Sequence, residues 1–145
     1  MISLKIRKLG DPVLRTEAKE IIEVNGKIRD LLYRMAKMYQ ADGVGLAAPQ
    51  VGISKQIVVI DIGQGIIELI NPKIIEKSKK TFIDQEGCLS IPNQTGKVER
   101  NYKVKVRALN RFGEKIELEG KGLLSRAFQH EIDHLKGVLF IDRVI

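Results

Sequence analysis

Five consecutive residues, His130-Glu131-Ile132-Asp133-His134, constrain this chain more than any other stretch. On an α-helix, residues four apart lie on one face about one turn apart, so a helical segment brings both imidazoles to a single metal ion. The surrounding pattern predicts that helix from about Gly122 to Leu135. Leu123, Leu124, Ala127, Phe128, Ile132 and Leu135 place apolar positions around the histidines, and Lys136-Gly137 is a C-terminal stop signal. Such a helix is expected to be buried over most of its circumference, and buried imidazoles need hydrogen-bond partners or a metal.

A catalytic ion of the zinc or iron type takes three protein ligands and keeps a fourth position for water. The chain has only these two histidines, and its only cysteine is Cys88. Two familiar third ligands of zinc proteases, a glutamate on a later helix or a third histidine, have no counterpart. Only eleven residues follow His134, with Asp142 their sole acid. Cys88 is the better candidate, since a thiolate is a good ligand and Gly87 beside it permits close backbone approach. Glu131 can take a proton from water that an ion activates. The competing readings are two ordinary core histidines and a cysteine buried as a small hydrophobe. The residues favour a metal-dependent hydrolase with a His-His-Cys site.

At 145 residues the chain is expected to form one domain, 1–145, with a mostly aliphatic core, since it holds seven Phe and Tyr and no Trp. Its formal charge of +7 would suit an anionic partner, but the basic residues are scattered. The densest run is Lys77-Ser78-Lys79-Lys80, and no zinc-finger or RNA-binding signature appears, so no sequence-specific nucleic acid is expected. One cysteine excludes an intramolecular disulfide framework. No secretory signal and no apolar run of membrane-spanning length is present, so a cytoplasmic protein without a membrane partner is expected.

Elsewhere, residues 11–24 read as an extended arm, and Asn25 as the N-cap of a helix reaching about Gln40 and broken by Asp42-Gly43. Ile28, Leu31, Leu32, Met35 and Met38 form its apolar stripe. Ile57–Ile60 reads as a strand buried on both faces. Ile66–Ile70 is a strand stopped by Asn71-Pro72, and 73–82 resumes as a strand. Residues 102–109 alternate, Asn110–Gly113 turns, and 115–119 alternates again, predicting an antiparallel hairpin with Val104, Val106, Ile116 and Leu118 inward. Val138–Ile145 has no clear capping element. Two helices against antiparallel strands predict an α+β domain.

Three segments, Gly43-Val44-Gly45-Leu46-Ala47-Ala48-Pro49-Gln50, Glu86-Gly87-Cys88-Leu89-Ser90 and Gln129-His130-Glu131-Ile132-Asp133-His134, closely resemble in this order the motifs of the peptide deformylase family. The likeness runs over nearly the whole chain. It implies antiparallel strands packed around a central metal-binding helix, and hydrolysis of the formyl group from the N-terminal methionine of nascent polypeptides. It further implies Fe²⁺ bound by Cys88, His130 and His134, with nickel, cobalt or zinc as substitutes, and Glu131 as the catalytic carboxylate. By the same resemblance, Gln50 and the backbone N–H of Leu89 stabilise the formyl oxygen. Gly45 belongs to a close-packed motif flanking the site, and Val44 and Gly87 hold the peptide like an added strand. Glu86 and Arg100 form a salt bridge propping the cysteine loop. Thr95 stands where some relatives have an arginine lining the substrate cleft. Many relatives carry a long helix after the positions matching Ile141-Asp142, whereas this chain ends at Ile145, a naturally short or a truncated form. The basic surface fits a transient association with the ribosome. Two alternatives stay open on the residues alone: a metallopeptidase or general amidase, and a ribosome-associated binding module without catalysis.

Overall fold

The computed structural model describes residues 4–38 and 44–145. Seven strands run β1 (Gly45–Ala47), β2 (Ile57–Ile60), β3 (Ile67–Lys77), β4 (Thr81–Cys88), β5 (Ile91–Asn101), β6 (Lys103–Leu109) and β7 (Lys115–Lys121), with helices α1 (Gly26–Met38) and α2 (Leu123–Leu135). The strands make a five-stranded antiparallel sheet in the order β1-β2-β3-β6-β7 and a separate β4-β5 ribbon.

The four residues of β2 are all buried, because side chains alternate across a sheet that is covered on both sides. Val58 and Ile60 pack with Phe128, Ile132 and Leu135 of α2. Ile57 and Val59 pack with Ile28, Leu31, Leu32 and Met35 of α1. The sheet therefore lies between the two helices, and α2 lies between the sheet and the ribbon, where a third cluster joins Leu14, Ile91, Val98, Leu139 and Phe140.

Local signals appear where they were expected. Asn25 caps α1 by accepting from the N–H groups of Lys27 and Ile28. The β6-β7 hairpin buries Val104 and Val106, half-buries Ile116 and Leu118, and carries the cross-strand pairs Arg107–Glu117 and Lys103–Glu119 on its exposed face. Helix α2 ends on Gly137 at φ 76°, where a Cβ would stand 2.6 Å from the carbonyl oxygen of Arg15. The expected stop of α1 at Asp42-Gly43 lies outside the described residues.

Three expectations need correction. Asn71-Pro72 does not end a strand: β3 runs through it with a bulge, Asn71 at φ 53°. The Asn71 amide there accepts from Ile21 N–H and donates to Ile21 C=O, so it pins the arm that an ordinary strand residue could not reach. The strand expected over 73–82 is the end of β3 and the start of β4, divided at Ser78-Lys79-Lys80. The arm is not wholly extended. Asp11 caps a 3₁₀ turn at Pro12–Arg15; beyond it Ala18 N–H donates to Leu135 C=O at the end of α2, and Lys19 exchanges bonds with Ser54 and Gln56 just ahead of β2. The final segment is also tied down, by a 3₁₀ turn at Phe140–Asp142 and by Ile145 N–H donating to Lys97 C=O.

Candidate metal centre

Helix α2 presents His130 and His134 on one side, ring centroids 5.1 Å apart. The end of β4 delivers Cys88, whose Sγ lies 3.4 Å from His134 Nε2. Ligand atoms of all three residues fall within 4.8 Å of one another. Bond lengths of 2.0–2.3 Å to a tetrahedral ion imply ligand separations of about 3.3–3.8 Å, so the donor set fits one divalent ion. A soft thiolate with two imidazoles suits iron, nickel, cobalt or zinc better than magnesium or calcium.

The outer partners orient the ligands. His130 Nδ1 donates to Glu86 Oε1 at 2.9 Å, which leaves Nε2 free to turn toward Cys88. Glu86 is buried, yet its carboxyl is held far below the ordinary carboxylate range. Burial opposes the charge, but hydrogen bonds from Arg100 and His130 overcome it. Arg100 grips Glu86 through two 2.9 Å bonds and reaches Asp133 at 2.7 Å. Arg143 holds Asp133 from the C-terminal tail, and Phe140 of that tail stacks on His130 with ring centroids 6.2 Å apart.

Burial works against a charge on His130, but its bonds to Cys88 and Glu86 prevail and raise its proton affinity to about 10. His134 is held well below 6.5 by burial and by positive His130 and Arg100. One imidazole is thus neutral and available as a ligand, while the other sits among acids that call for positive charge. A divalent ion held by Cys88, His130 and His134 would supply that positive charge.

Glu131 is 4% exposed and one of its oxygens has no hydrogen-bond partner. Burial raises its pKa to about 7, with His130 opposing. Gln50 sits in the 3₁₀ turn after β1, its Oε1 accepting from Ala47 N–H at 2.9 Å. That bond fixes the amide so that Nε2 donates toward Cys88 Sγ at 3.3 Å and Ser90 Oγ at 3.2 Å. Val44, Gly45, Gln50, Glu86, Gly87, Cys88, Leu89, His130 and Glu131 all border one cleft of about 210 Å³, so the expected site residues converge, with His134 behind and Arg100 beneath. Thr95 borders an adjoining depression beside Gly87 and accepts from Gln85 at 2.8 Å.

A Cβ at Gly87 would meet Thr95 at 3.5 Å, an ordinary contact within the chain. Sequence reasoning missed several residues. Arg126, on the same α2 face as His130 and four residues before it, pairs with Glu86 and donates to Val98 C=O and Phe82 C=O. The N–H groups of Arg7 and Leu9 join the two loops by donating to Gln50 C=O and Ser90 C=O. Helical spacing could have revealed Arg126. Nothing local marks Arg7, Leu9 or Phe140.

The chain is similar to known proteins over its whole length. A family model described as polypeptide deformylase matches residues 3–145. A peptide deformylase of Halothermothrix orenii is 59% identical over 98% of this chain and 94% of its own length. The crystal structure of peptide deformylase from Thermotoga maritima superposes with a TM-score of 0.95 at 45% identity, covering 100% of this chain and 99% of that one. A Synechococcus elongatus peptide deformylase solved with actinonin superposes at 0.94 with 48% identity, covering 98% and 79%. A match of that extent, in sequence and backbone alike, shows that this chain belongs to the polypeptide deformylase family, metal-dependent enzymes that hydrolyse the N-formyl group from N-terminal methionine.

Proposed function

We propose that residues 1–145 act as one catalytic domain, in which Glu131 moves the proton, Gln50 and Leu89 stabilise the oxyanion, and Fe²⁺ is the physiological ion held by Cys88, His130 and His134. The observation that carries this is the meeting of three ligand atoms within 4.8 Å on a cleft that Glu131 also borders.

A divalent ion in this site supplies Lewis-acid polarisation and brings the pKa of water near neutrality. Glu131, with a pKa raised to about 7, accepts a proton from the water that attacks the formyl carbon. The carbonyl π pair moves onto oxygen, where Gln50 Nε2 and the Leu89 N–H donate; losing one such donor costs about 2.7–4 kcal/mol. When the pair returns, the C–N bond breaks, Glu131 gives its proton to the leaving amine, and formate departs.

Strand β1 is an edge of the five-stranded sheet and β4 an edge of the ribbon. An extended nascent chain fits between them, bonded to backbone groups near Val44 and Gly87, as strand addition requires. This recognition reads backbone more than sequence. The methionine side chain enters the cleft beside Leu123 and Ala127, and its burial contributes roughly 1.5–3 kcal/mol. A thiolate ligand suits a reducing compartment, which supports a cytoplasmic location. The +7 charge supports transient ribosome association.

Purification without oxygen in the presence of Fe²⁺, metal analysis, and formate release from formyl-Met-Ala-Ser, formyl-Gly-Ala-Ser and acetyl-Met-Ala-Ser test this reading. Iron retention with strong preference for the first peptide is expected. Equal kcat/KM on all three would overturn the assignment.

A further inference from the structure

The two groups proposed to receive the oxyanion belong to separate parts of the fold. Gln50 sits in the 3₁₀ turn Ala48–Val51, between two strands of the five-stranded sheet, and Leu89 lies at the bend between β4 and β5 of the ribbon. No strand of the sheet pairs with the ribbon, and among the described residues no backbone hydrogen bond runs from one loop to the other. Their direct polar contacts are made by the Gln50 side chain alone. Three consecutive residues of the N-terminal arm bridge this gap. Arg7 N–H donates to Gln50 C=O at 2.6 Å, Leu9 N–H donates to Ser90 C=O at 2.8 Å, and Lys8 Nζ reaches Leu89 C=O at 3.2 Å. Gln50 and Ser90 are buried, whereas Arg7, Lys8 and Leu9 are exposed, so the segment adds little to the core and holds on through its backbone. Its two ends are anchored in different cores. Leu4 and Ile6 pack with Ala48 and Val51 on the sheet side, and Leu14 packs with Ile91 on the ribbon side. The Arg7 guanidinium also lies against Gly52, which closes the Gln50 turn at φ 86°; a Cβ there would stand 2.7 Å from Arg7 Nη2.

We infer that Arg7 and Leu9 are positioning residues for the reaction: their N–H groups set the separation of Gln50 from Leu89, and with it the fit of both donors to the formyl oxygen. This rests on the oxyanion roles proposed above. Donors stabilise a developing charge only when they are held at hydrogen-bond distance from the place the oxygen will occupy. Two loops linked by one side chain can drift apart, and a backbone tie to each removes that freedom. The oxyanion exists only in the transition state, so such a tie acts on turnover and leaves ground-state binding of the peptide alone.

Proline lacks the N–H that each tie needs, whereas alanine keeps it. Arg7→Pro and Leu9→Pro are therefore compared with Arg7→Ala and Leu9→Ala, in the full chain, for formate release from formyl-Met-Ala-Ser, with metal content and circular dichroism measured on each protein. Each proline variant is expected to keep its metal and its KM, and to lose kcat by about 10–100-fold relative to the alanine variant at the same position. In a Gln50→Ala background, Arg7→Pro should add little further loss, because a residue that acts through Gln50 has nothing left to position. A tie that served only the fold would cost the same in both backgrounds. Where a proline variant does not fold, an α-hydroxy acid at that position replaces the N–H by an ester oxygen and leaves φ free. Equal kcat in the proline and alanine variants, or full additivity with Gln50→Ala, would overturn the inference. Wild-type kcat in Gln50→Ala alone would instead strike the proposed oxyanion role, and the inference with it.

Discussion

Gly45 leaves space for the Glu131 carboxylate: a Cβ at position 45 would stand 3.0 Å from Glu131 Oε2, and equally close to Ile60 Cγ1 and Val59 C=O. Two of those neighbours belong to the rigid strand β2, so Glu131 is the one that gives way. Gly45→Ala is expected to retain its metal and lower kcat, and misplacing a reacting group by about 1 Å can cost about 10²-fold. Near-normal kcat in a metal-loaded variant would show that Glu131 has room to spare.

Glu131→Gln keeps the shape and removes the proton carrier, so turnover should fall by about 10²–10⁴ with metal content unchanged. A stability measurement on chelated protein adds an independent check. Burial raises the Glu131 pKa from 4.5 to about 7, so the folded state binds this proton more tightly than the unfolded chain does. That stability is fully present below pH 4.5 and is lost as pH rises through about 7. The Gln variant has nothing to titrate, and should gain on wild type by up to roughly 3 kcal/mol between about pH 5 and pH 8. A Tm difference that does not change with pH would refute the raised pKa.

Arg100 stands between two buried carboxylates, Glu86 and Asp133. Arg100→Met leaves both without that partner, and breaking such a buried pair costs about 3–5 kcal/mol. His130 should lose orientation with it, so metal affinity falls too. Arg143→Ala should do less, about 1 kcal/mol or below, because its side chain is 47% exposed. Urea unfolding with metal titration separates the two, and equal effects would contradict the ranking. Since Glu86 is held below its ordinary 4.5, its contribution is present above that pH and is lost only as pH falls well beneath it.

Cys88→Ser replaces the one soft anionic ligand with an alcohol. The loss of metal affinity should exceed the about 10–100-fold typical of removing an outer partner. Competition with a metal chelator measures it, and a variant that holds iron or nickel as tightly as wild type would remove Cys88 from the ligand set.

The sequence by itself determined what repeats at short range. Positions 130 and 134 share a helix face because α-helices repeat every 3.6 residues, and Asn25, Gly137 and the alternation through β6 and β7 act on their immediate neighbours. The ribbon β4-β5 left no such mark, since most of its residues are exposed and no apolar alternation runs through Thr81–Gly96. Only the tertiary structure decided that this ribbon closes over α2, bringing Glu86 to His130 across 44 residues and Cys88 to His134 across 46. The same holds for Arg126 beneath Glu86, for Phe140 on His130, and for the carrying of β3 through Asn71-Pro72. These contacts join segments far apart in the chain, and their partners are fixed by which surfaces the sheet and helix leave to be covered.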